Sequence, residues 1–209
     1  MSDIKVLNLY AGLSGNRKLW EGVEVTSVEI QEDIAELNQK LYPDDIVIVA
    51  DAHQYLLDHY QGFDFIWSSP PCPSHSKMIR SGRNRKPRYP DMKLYEEIIF
   101  LEHNFSHGRY VVENVVPYYL PLLPAQRIGR HLLWSNFHIG HVVCPPIKGL
   151  FEKSKQELMD WLNIHYEENI CSGDNHDPQQ PLRNCVHPDI GKQIFDYAFS
   201  TDLFGDSHG

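Results

Sequence analysis

The chain has 209 residues, a net charge of −9 and 42% hydrophobic residues, the size and balance of one globular domain with a sizeable core. No stretch approaches about 18 uncharged apolar residues, which excludes a helical membrane span. The start, Met1-Ser2-Asp3-Ile4-Lys5, lacks the basic and apolar run of a secretory leader. Four cysteines without a Cys-x-x-Cys pair make no disulfide framework, so reduced thiols in a cytoplasm are expected.

Residues 4–9 are an apolar run rich in β-formers, followed by the turn-like Ala11-Gly12-Leu13-Ser14-Gly15-Asn16 and a short helix over 17–21. A second strand is predicted over 23–30, a helix over 31–41 that stops before Pro43, a third strand over 46–49 and a helix over 53–60. A fourth strand over 63–67 runs into Ser68-Ser69-Pro70-Pro71. The spacing of Leu94, Ile98, Leu101 and Phe105 predicts a helix over 92–107, ahead of a fifth strand over 110–112. Strands alternating with helices imply a doubly wound, mostly parallel α/β sheet with ligands at the carboxyl ends of its strands. Beyond Val115 the pattern weakens. It suggests one helical turn over 118–123, a hairpin from 131–134 and 137–143, a helix over 152–162, a polar loop over 171–183 and a helix within 187–198. The expected organisation is a single domain over 1–199, with a small irregular insertion near 138–183 and a flexible tail over 200–209.

Charge is unevenly spread. Lys77, Arg80, Arg83, Arg85, Lys86, Arg88 and Lys93 face only Asp91 between residues 76 and 93, so this segment is +6 and the rest is −15. A basic loop on an acidic body still attracts phosphates locally, because screening limits the reach of distant acids to roughly 8–10 Å. A solvated loop without a partner is the plainer alternative.

The loop after the first strand contains neither a Walker A sequence nor a Gly-x-Gly-x-x-Gly fingerprint. Its glycines let a ligand approach the backbone. Glu29, at the end of the second strand, is where a nucleoside-binding α/β fold places a carboxylate on ribose hydroxyls, and Asp51, at the end of the third, suits an adenine amino group. Each alone is equally a helix cap. Together they suggest an adenosine-containing cofactor without a diphosphate site, which fits S-adenosyl-L-methionine better than a dinucleotide. Cys72 leaves the fourth strand on a turn stiffened by two prolines. A lone cysteine is usually apolar filler, but one on a rigid loop at the ligand edge is a candidate nucleophile. Glu113 and Asn114 reach the same edge. A carboxyl group partly removed from water can hold a proton near neutral pH and donate it to a ring nitrogen. His75 and His131 read as surface or capping groups, with tuning of the Cys72 thiol as an alternative for His75, three residues away. Cys171, His176, Cys185 and His187 have zinc-ligand types at irregular spacing, and no metal is expected.

These segments resemble the DNA (cytosine-5) methyltransferases over roughly residues 5–130 and again over 183–194. Tyr10-Ala11-Gly12-Leu13-Ser14-Gly15 is similar to the family's aromatic-x-Gly-x-Gly-Gly cofactor loop, with Ser14 in place of the middle glycine. Pro70-Pro71-Cys72 matches the nucleophile motif and Glu113-Asn114-Val115 the Glu-Asn-Val motif. Gln126-Arg127-Ile128-Gly129-Arg130 matches Gln-x-Arg-x-Arg, with Ile128 replacing the first arginine, and Asn184-Cys185-Val186 matches the late Asn-Ser-Val motif.

The resemblance implies a Rossmann-like, S-adenosylmethionine-dependent methyltransferase fold. It implies that Tyr10, Ala11, Gly12, Ser14, Gly15, Glu29, Ile30, Asp51, Ala52, Pro70, Asn184 and Val186 hold the cofactor. Cys72, beside Pro71, would add to carbon 6 of an extruded cytosine, Glu113 would hydrogen-bond ring nitrogen 3, Arg130 would support the base and Asn114 would orient the Pro-Cys loop. DNA is the implied partner, held by Lys77, Arg80, Arg83, Arg85, Lys86 and Arg88. Only residues 130–183 are available for reading bases, with no basic cluster. A minimal enzyme is therefore expected, of short-context specificity or served by a homodimer or separate recognition subunit, in a prokaryotic or phage-infected cytoplasm. RNA cytosine methylation and a weakened accessory subunit remain alternatives.

Overall fold

The computed structural model describes residues 4–77, 89–171 and 177–200. The chain runs β1 (Ile4–Leu9), β2 (Val23–Glu29), α1 (Glu32–Leu41), β3 (Ile46–Val49), α2 (Ala52–His59), β4 (Phe65–Ser68), α3 (Lys93–Asn104), β5 (Arg109–Val115), β6 (Gln126–Ile128), β7 (His131–Ser135), α4 (Lys155–Leu162), α5 (Gln180–Asn184) and α6 (Pro188–Phe199). A single 3₁₀ turn, Tyr60–Gly62, follows α2.

The described strands form one seven-stranded sheet in the order β3-β2-β1-β4-β5-β7-β6. β3 through β5 are parallel, whereas β7 is antiparallel to both its neighbours. The expected doubly wound, mostly parallel sheet is what the structure contains. Connections leave in opposite directions from β1 and β4, so the carboxyl ends of these adjacent strands open a crevice at the switch point.

Period-2 alternation explains why both sheet faces are covered. Leu7, Leu9, Ile66, Tyr110 and Val112 point to one face, where α2 and α3 add Leu56, Leu94, Ile98 and Leu101. Val6, Phe65, Trp67 and Val111 point to the other, against Ile190, Ile194 and Phe195 of α6. A third cluster joins Leu13, Ile34 and Leu37 to Leu158, Met159 and Leu162 of α4 and Leu182 of α5. The irregular late segment is thus packed onto α1. Capping stops and starts the helices: Asp51 caps α2, Ser154 and Glu157 form a reciprocal capping box on α4, and His187 with Pro188 opens α6.

Four expectations are corrected. Residues 17–21 are turns rather than a helix, with Arg17 N–H donating to Ser14 O at 3.2 Å and Trp20 N–H to Arg17 O at 2.9 Å. The span is too short to repay helix nucleation, and the bidentate Arg17–Asp45 contact at 2.6 and 2.5 Å holds it instead. Residues 118–123 contain no helical turn: Pro121 lacks the backbone donor one requires, and the N–H groups of Tyr118 and Leu122 donate instead to His75 O at 3.1 Å and Tyr95 Oη at 3.2 Å. The hairpin lies upstream of its expected place: β6 pairs with β7 through the two-residue turn Gly129-Arg130, in which Gly129 has φ +57. Residues 137–143 instead run along α6, where the side-chain amide of Gln193 donates to Val143 O at 3.0 Å and accepts from its N–H at 2.9 Å. The polar loop over 171–183 contains the start of α5, where Pro181 occupies the first turn.

α6 crosses the loop after β1 at Gly191. A β-carbon there would lie 2.1 Å from the backbone oxygen of Asn16, which has no side-chain freedom with which to yield. Gly191→Ala is expected to destabilise the fold by at least about 1–3 kcal/mol, measured as a lower midpoint in urea unfolding with an unchanged slope.

Candidate active site

The chain leaves β1 through a tight loop in which Tyr10, Gly12 and Ser14 have φ of +54, +52 and +51. A non-glycine residue in this region costs about 1–2 kcal/mol, and here each is held by its own side chain. Tyr10 Oη donates to Glu97 Oε1 at 2.6 Å. Ser14 Oγ accepts from Asn8 Nδ2 at 3.0 Å and Asn38 Nδ2 at 2.7 Å, and Asn16 Nδ2 donates to Asn8 Oδ1 at 2.9 Å. The serine at the family's glycine position is therefore absorbed into a buried amide network. Ala11 is buried, and its N–H donates to Val28 O at 3.0 Å.

Glu29 is buried at the end of β2. Its two oxygens accept from the N–H groups of Gly12 at 3.0 Å and Gln31 at 2.9 Å. Beside it Ile30 is 64% exposed, although apolar. A β-carbon on Gly12 would meet nothing within 4 Å, so the loop presents open space there. Asp51 is a helix cap, as its plainer reading held: Oδ1 accepts from the N–H groups of His53 and Gln54 at 2.9 and 3.2 Å. The Gln54 bond is the main cause that keeps its carboxyl below the usual range. Its side chain remains half exposed, with Oδ2 3.8 Å from Lys93 Nζ. Ala52 is buried in the first turn of α2. The late motif returns to this loop, since a β-carbon on Gly15 would lie 2.5 Å from Val186 O and 3.0 Å from Cys185 Cβ. Val186 is buried, and Asn184 is exposed.

The second loop starts at Ser68. Asn114 Nδ2 donates to Pro70 O at 2.9 Å and its Oδ1 accepts from Val115 N–H at 2.9 Å, so the end of β5 grips the turn from which Cys72 projects. Pro70 is buried and Pro71 exposed. Downstream, the N–H groups of His75 and Ser76 donate to Cys72 O at 3.0 and 2.9 Å. Burial pushes the Cys72 thiol above its ordinary value, the Glu113 charge adds to that, and Arg130 pulls only partly back.

Glu113 is buried, and its Oε1 lies 2.5 Å from His131 Nδ1. Burial alone would push this carboxyl up. The His131 charge and hydrogen bond, a hydrogen bond from Ser69 and the Arg130 charge together outweigh it and bring Glu113 below the usual range. The sequence suggested a carboxyl that keeps its own proton; the structure instead pairs it with a histidine. Arg130 Nη2 donates to the carbonyls of Arg183 and Cys185, both at 2.8 Å, which ties the β6–β7 turn to the late motif. Ile128 is buried in the core on the α6 face, where an arginine would be a charge buried in apolar surroundings.

Two groups at this edge escaped the sequence reading. Glu97 is fully buried, and it accepts from Tyr10 Oη at 2.6 Å and Ser68 Oγ at 2.5 Å and lies 3.0 Å from His53 Nδ1. The Glu97 hydrogen bond pushes His53 up against the opposing effect of burial. The signal was present, because Glu97 shares the apolar stripe of Leu94, Ile98 and Leu101. His131 is buried rather than a surface group. His75 is also buried rather than a surface group, and its Nδ1 faces Tyr119 Oη at 2.5 Å. Of the weighed zinc ligands, Cys185 Sγ donates to Pro181 O at 3.4 Å. His187 Nε2 meets Trp161 O at 2.9 Å and its Nδ1 accepts from Asp189 N–H at 3.1 Å. His176 lies outside the described residues, as do Arg80, Arg83, Arg85, Lys86 and Arg88; Lys77 is exposed. Among the described residues no group of three or more potential ligands converges on a metal position, and no helix is long and apolar enough to cross a membrane.

No family model and no curated protein matches the chain. Solved structures that overlap it include a hypothetical protein of Thermus thermophilus, at 20% identity over 63% of this chain and 73% of that one, with a TM-score of 0.44. The DNMT2 protein of Spodoptera frugiperda overlaps at 21% identity over 54% of this chain and 35% of its own, with a TM-score of 0.38. A TehB-like SAM-dependent methyltransferase from Corynebacterium glutamicum overlaps at 14% identity over 55% and 56%, with a TM-score of 0.35. The chain thus spans about a third of the insect protein and just over half of the bacterial enzyme. The fold itself, a Rossmann-like, mostly parallel sheet of the SAM-methyltransferase type, stands on the strand order and the single reversed strand β7.

Two outcomes are expected from this geometry. Ser14→Ala strips an acceptor from two buried amides and destabilises the fold by about 1–3 kcal/mol, read by urea unfolding. Alkylation of Cys72 by iodoacetamide, mapped by peptide mass spectrometry, accelerates only above the ordinary thiol range. Glu113→Gln removes a negative charge and shifts that rise to lower pH, while buried Cys185, pushed up to about 12, stays unlabelled throughout.

Proposed function

We propose that this chain transfers a methyl group from S-adenosyl-L-methionine to carbon 5 of cytosine in DNA. The observation that carries the reading is the Asn114–Pro70 bond, which joins the Glu-Asn-Val strand end to the Pro-Pro-Cys turn at the switch point of the sheet. It stands beside a loop with open space over Gly12 and a buried acid at the end of β2.

The residues present fit the cofactor. Glu29 takes ribose hydroxyls, the exposed Ile30 side chain offers an apolar face to the adenine ring, and the half-exposed Asp51 accepts from its amino group. Tyr10, Ala11, Gly12, Ser14 and Gly15 shape the loop around the amino-acid part. Pro70, Ala52, Asn184 and Val186 complete the surroundings. The bound cofactor supplies an electrophilic methyl group.

Carbon 5 of cytosine is a weak nucleophile. Cys72 loses its proton to water and its sulfur adds to carbon 6, which makes carbon 5 enamine-like. Glu113 hydrogen-bonds ring nitrogen 3 as charge develops there, and Arg130 stabilises the base from the hairpin turn. Asn114 keeps the Pro-Cys turn in place. After methyl transfer the carbon-5 proton leaves to water, the sulfur–carbon bond breaks and 5-methylcytosine is released. None of this is accessible inside a base stack, so the target nucleotide must flip out. Lys77 and the basic segment that follows it hold phosphates. The apolar side chains of the late segment are buried against α1, which supports short-context recognition or help from a second copy or separate subunit.

Incubation with labelled S-adenosylmethionine and either duplex DNA or transfer RNA tests the reading. Labelled 5-methylcytosine is expected in the DNA; label confined to RNA moves the assignment to RNA. Cys72→Ser is expected to abolish transfer while retaining cofactor affinity, and a DNA carrying 5-fluorocytosine should become covalently joined to Cys72. Methylation that survives in Cys72→Ser removes the covalent mechanism.

A further inference from the structure

The proposed chemistry requires a proton at ring nitrogen 3, and the carboxyl placed to deliver it is paired with a histidine. The buried group nearest that carboxylate is His131. In the antiparallel β5–β7 ladder Glu113 lies opposite Leu133 and Val115 opposite His131. Glu113 and His131 are therefore diagonal neighbours on one sheet face, within reach of each other. Nδ1 and Oε1 are 2.5 Å apart, and the side chains are only 6% and 9% exposed. An unpaired carboxylate at this depth would be strongly destabilising. A pair that holds one proton between its two members is neutral and can give that proton to a base seated beside Glu113.

We propose that His131 is a positioning residue that stores the proton which Glu113 passes to the cytosine ring. This deepens the cytosine-5 reading and rests on it. As the Cys72 sulfur bonds to carbon 6, the C5=C6 electron pair moves between carbons 4 and 5, and the C4=N3 pair moves onto nitrogen 3. The one proton held between His131 Nδ1 and Glu113 passes through the Glu113 carboxyl to nitrogen 3, which leaves the imidazole neutral and Glu113 a carboxylate. When the carbon-5 proton leaves to water and the sulfur is eliminated, the nitrogen-3 proton returns to the pair. The titratable groups that face the pair are Cys72, from the turn after β4, and Arg130, from the β6–β7 turn, while Ser69 donates a hydrogen bond to Glu113. The rate should therefore rise with pH as Cys72 ionises and fall once the pair loses its shared proton.

The test compares wild type, His131→Asn and Cys72→Ser in single-turnover methylation across pH, with cofactor affinity measured alongside. Asparagine keeps a donor to Glu113 but cannot release its proton. His131→Asn is expected to bind the cofactor as wild type does, to transfer methyl on the order of 10²-fold more slowly, and to lack the alkaline fall. Nuclear magnetic resonance of the wild-type protein supplies a readout that needs no change at His131. The His131 Nδ1–H resonance should vanish over the same pH range in which the rate falls, and should move in Glu113→Gln. Wild-type rate and an unchanged alkaline fall in His131→Asn overturn the role of His131 alone, as does a resonance whose loss does not track the rate. A wild-type protein that leaves cytosine unmethylated overturns the cytosine-5 reading, and this proposal with it.

Discussion

Three carboxylates lie out of water along the carboxyl edge of the sheet, and a carboxylate so placed must be satisfied by donors or be expelled. None of them is satisfied by its own element alone. Glu29 gathers the backbone N–H groups of Gly12 and Gln31. Glu97 gathers Tyr10, Ser68 and His53. Glu113 gathers His131 and Ser69. Each acid thus fixes a loop that regular secondary structure leaves free. Together they define the crevice between the ends of β1 and β4, whereas the hydrophobic layers on either face only hold the strands level.

Two strands were legible because an apolar run is bounded by turn residues: β1, Ile4–Leu9, and the edge strand β3, Ile46–Val49, begin and end where the sequence pattern does. Glu113 and Asn114 were placed by the apolar run Tyr110–Val112 that they follow, and Cys72 by the Ser-Ser-Pro-Pro exit from the fourth strand. Less legible were groups whose meaning depends on a distant partner. Glu97 reads as one more helical acid until Tyr10, 87 positions away, is seen bonded to it. His131 reads as a polar strand end until its ladder register places it beside Glu113. The hairpin was misplaced because β6 has only three residues, Gln126–Ile128, too few to show alternation. Residues 17–21 misled through propensity, and one arginine–aspartate contact decided their conformation.

Where the sequence differs from the motifs it resembles, the differences have local physical accounts. Ser14 needs a left-handed backbone that glycine adopts freely, but its hydroxyl gains two amide donors that glycine could not use. Ile128 takes an arginine's place because its side chain enters the apolar layer over α6. The remaining Arg130 is bound to two backbone carbonyls of the late motif, so its place depends on a segment more than fifty residues away.

The grip of Glu97 on three separate segments has a mechanical corollary. A displacement of the chain after β1, of the first turn of α2 or of the last residue of β4 breaks a bond to the same carboxylate. Loosening any one leaves the anion short of a donor, and the strain falls on the remaining two. The rim behaves like an arch around a keystone: it is rigid while the stone is seated, and its segments shift in concert when it is not.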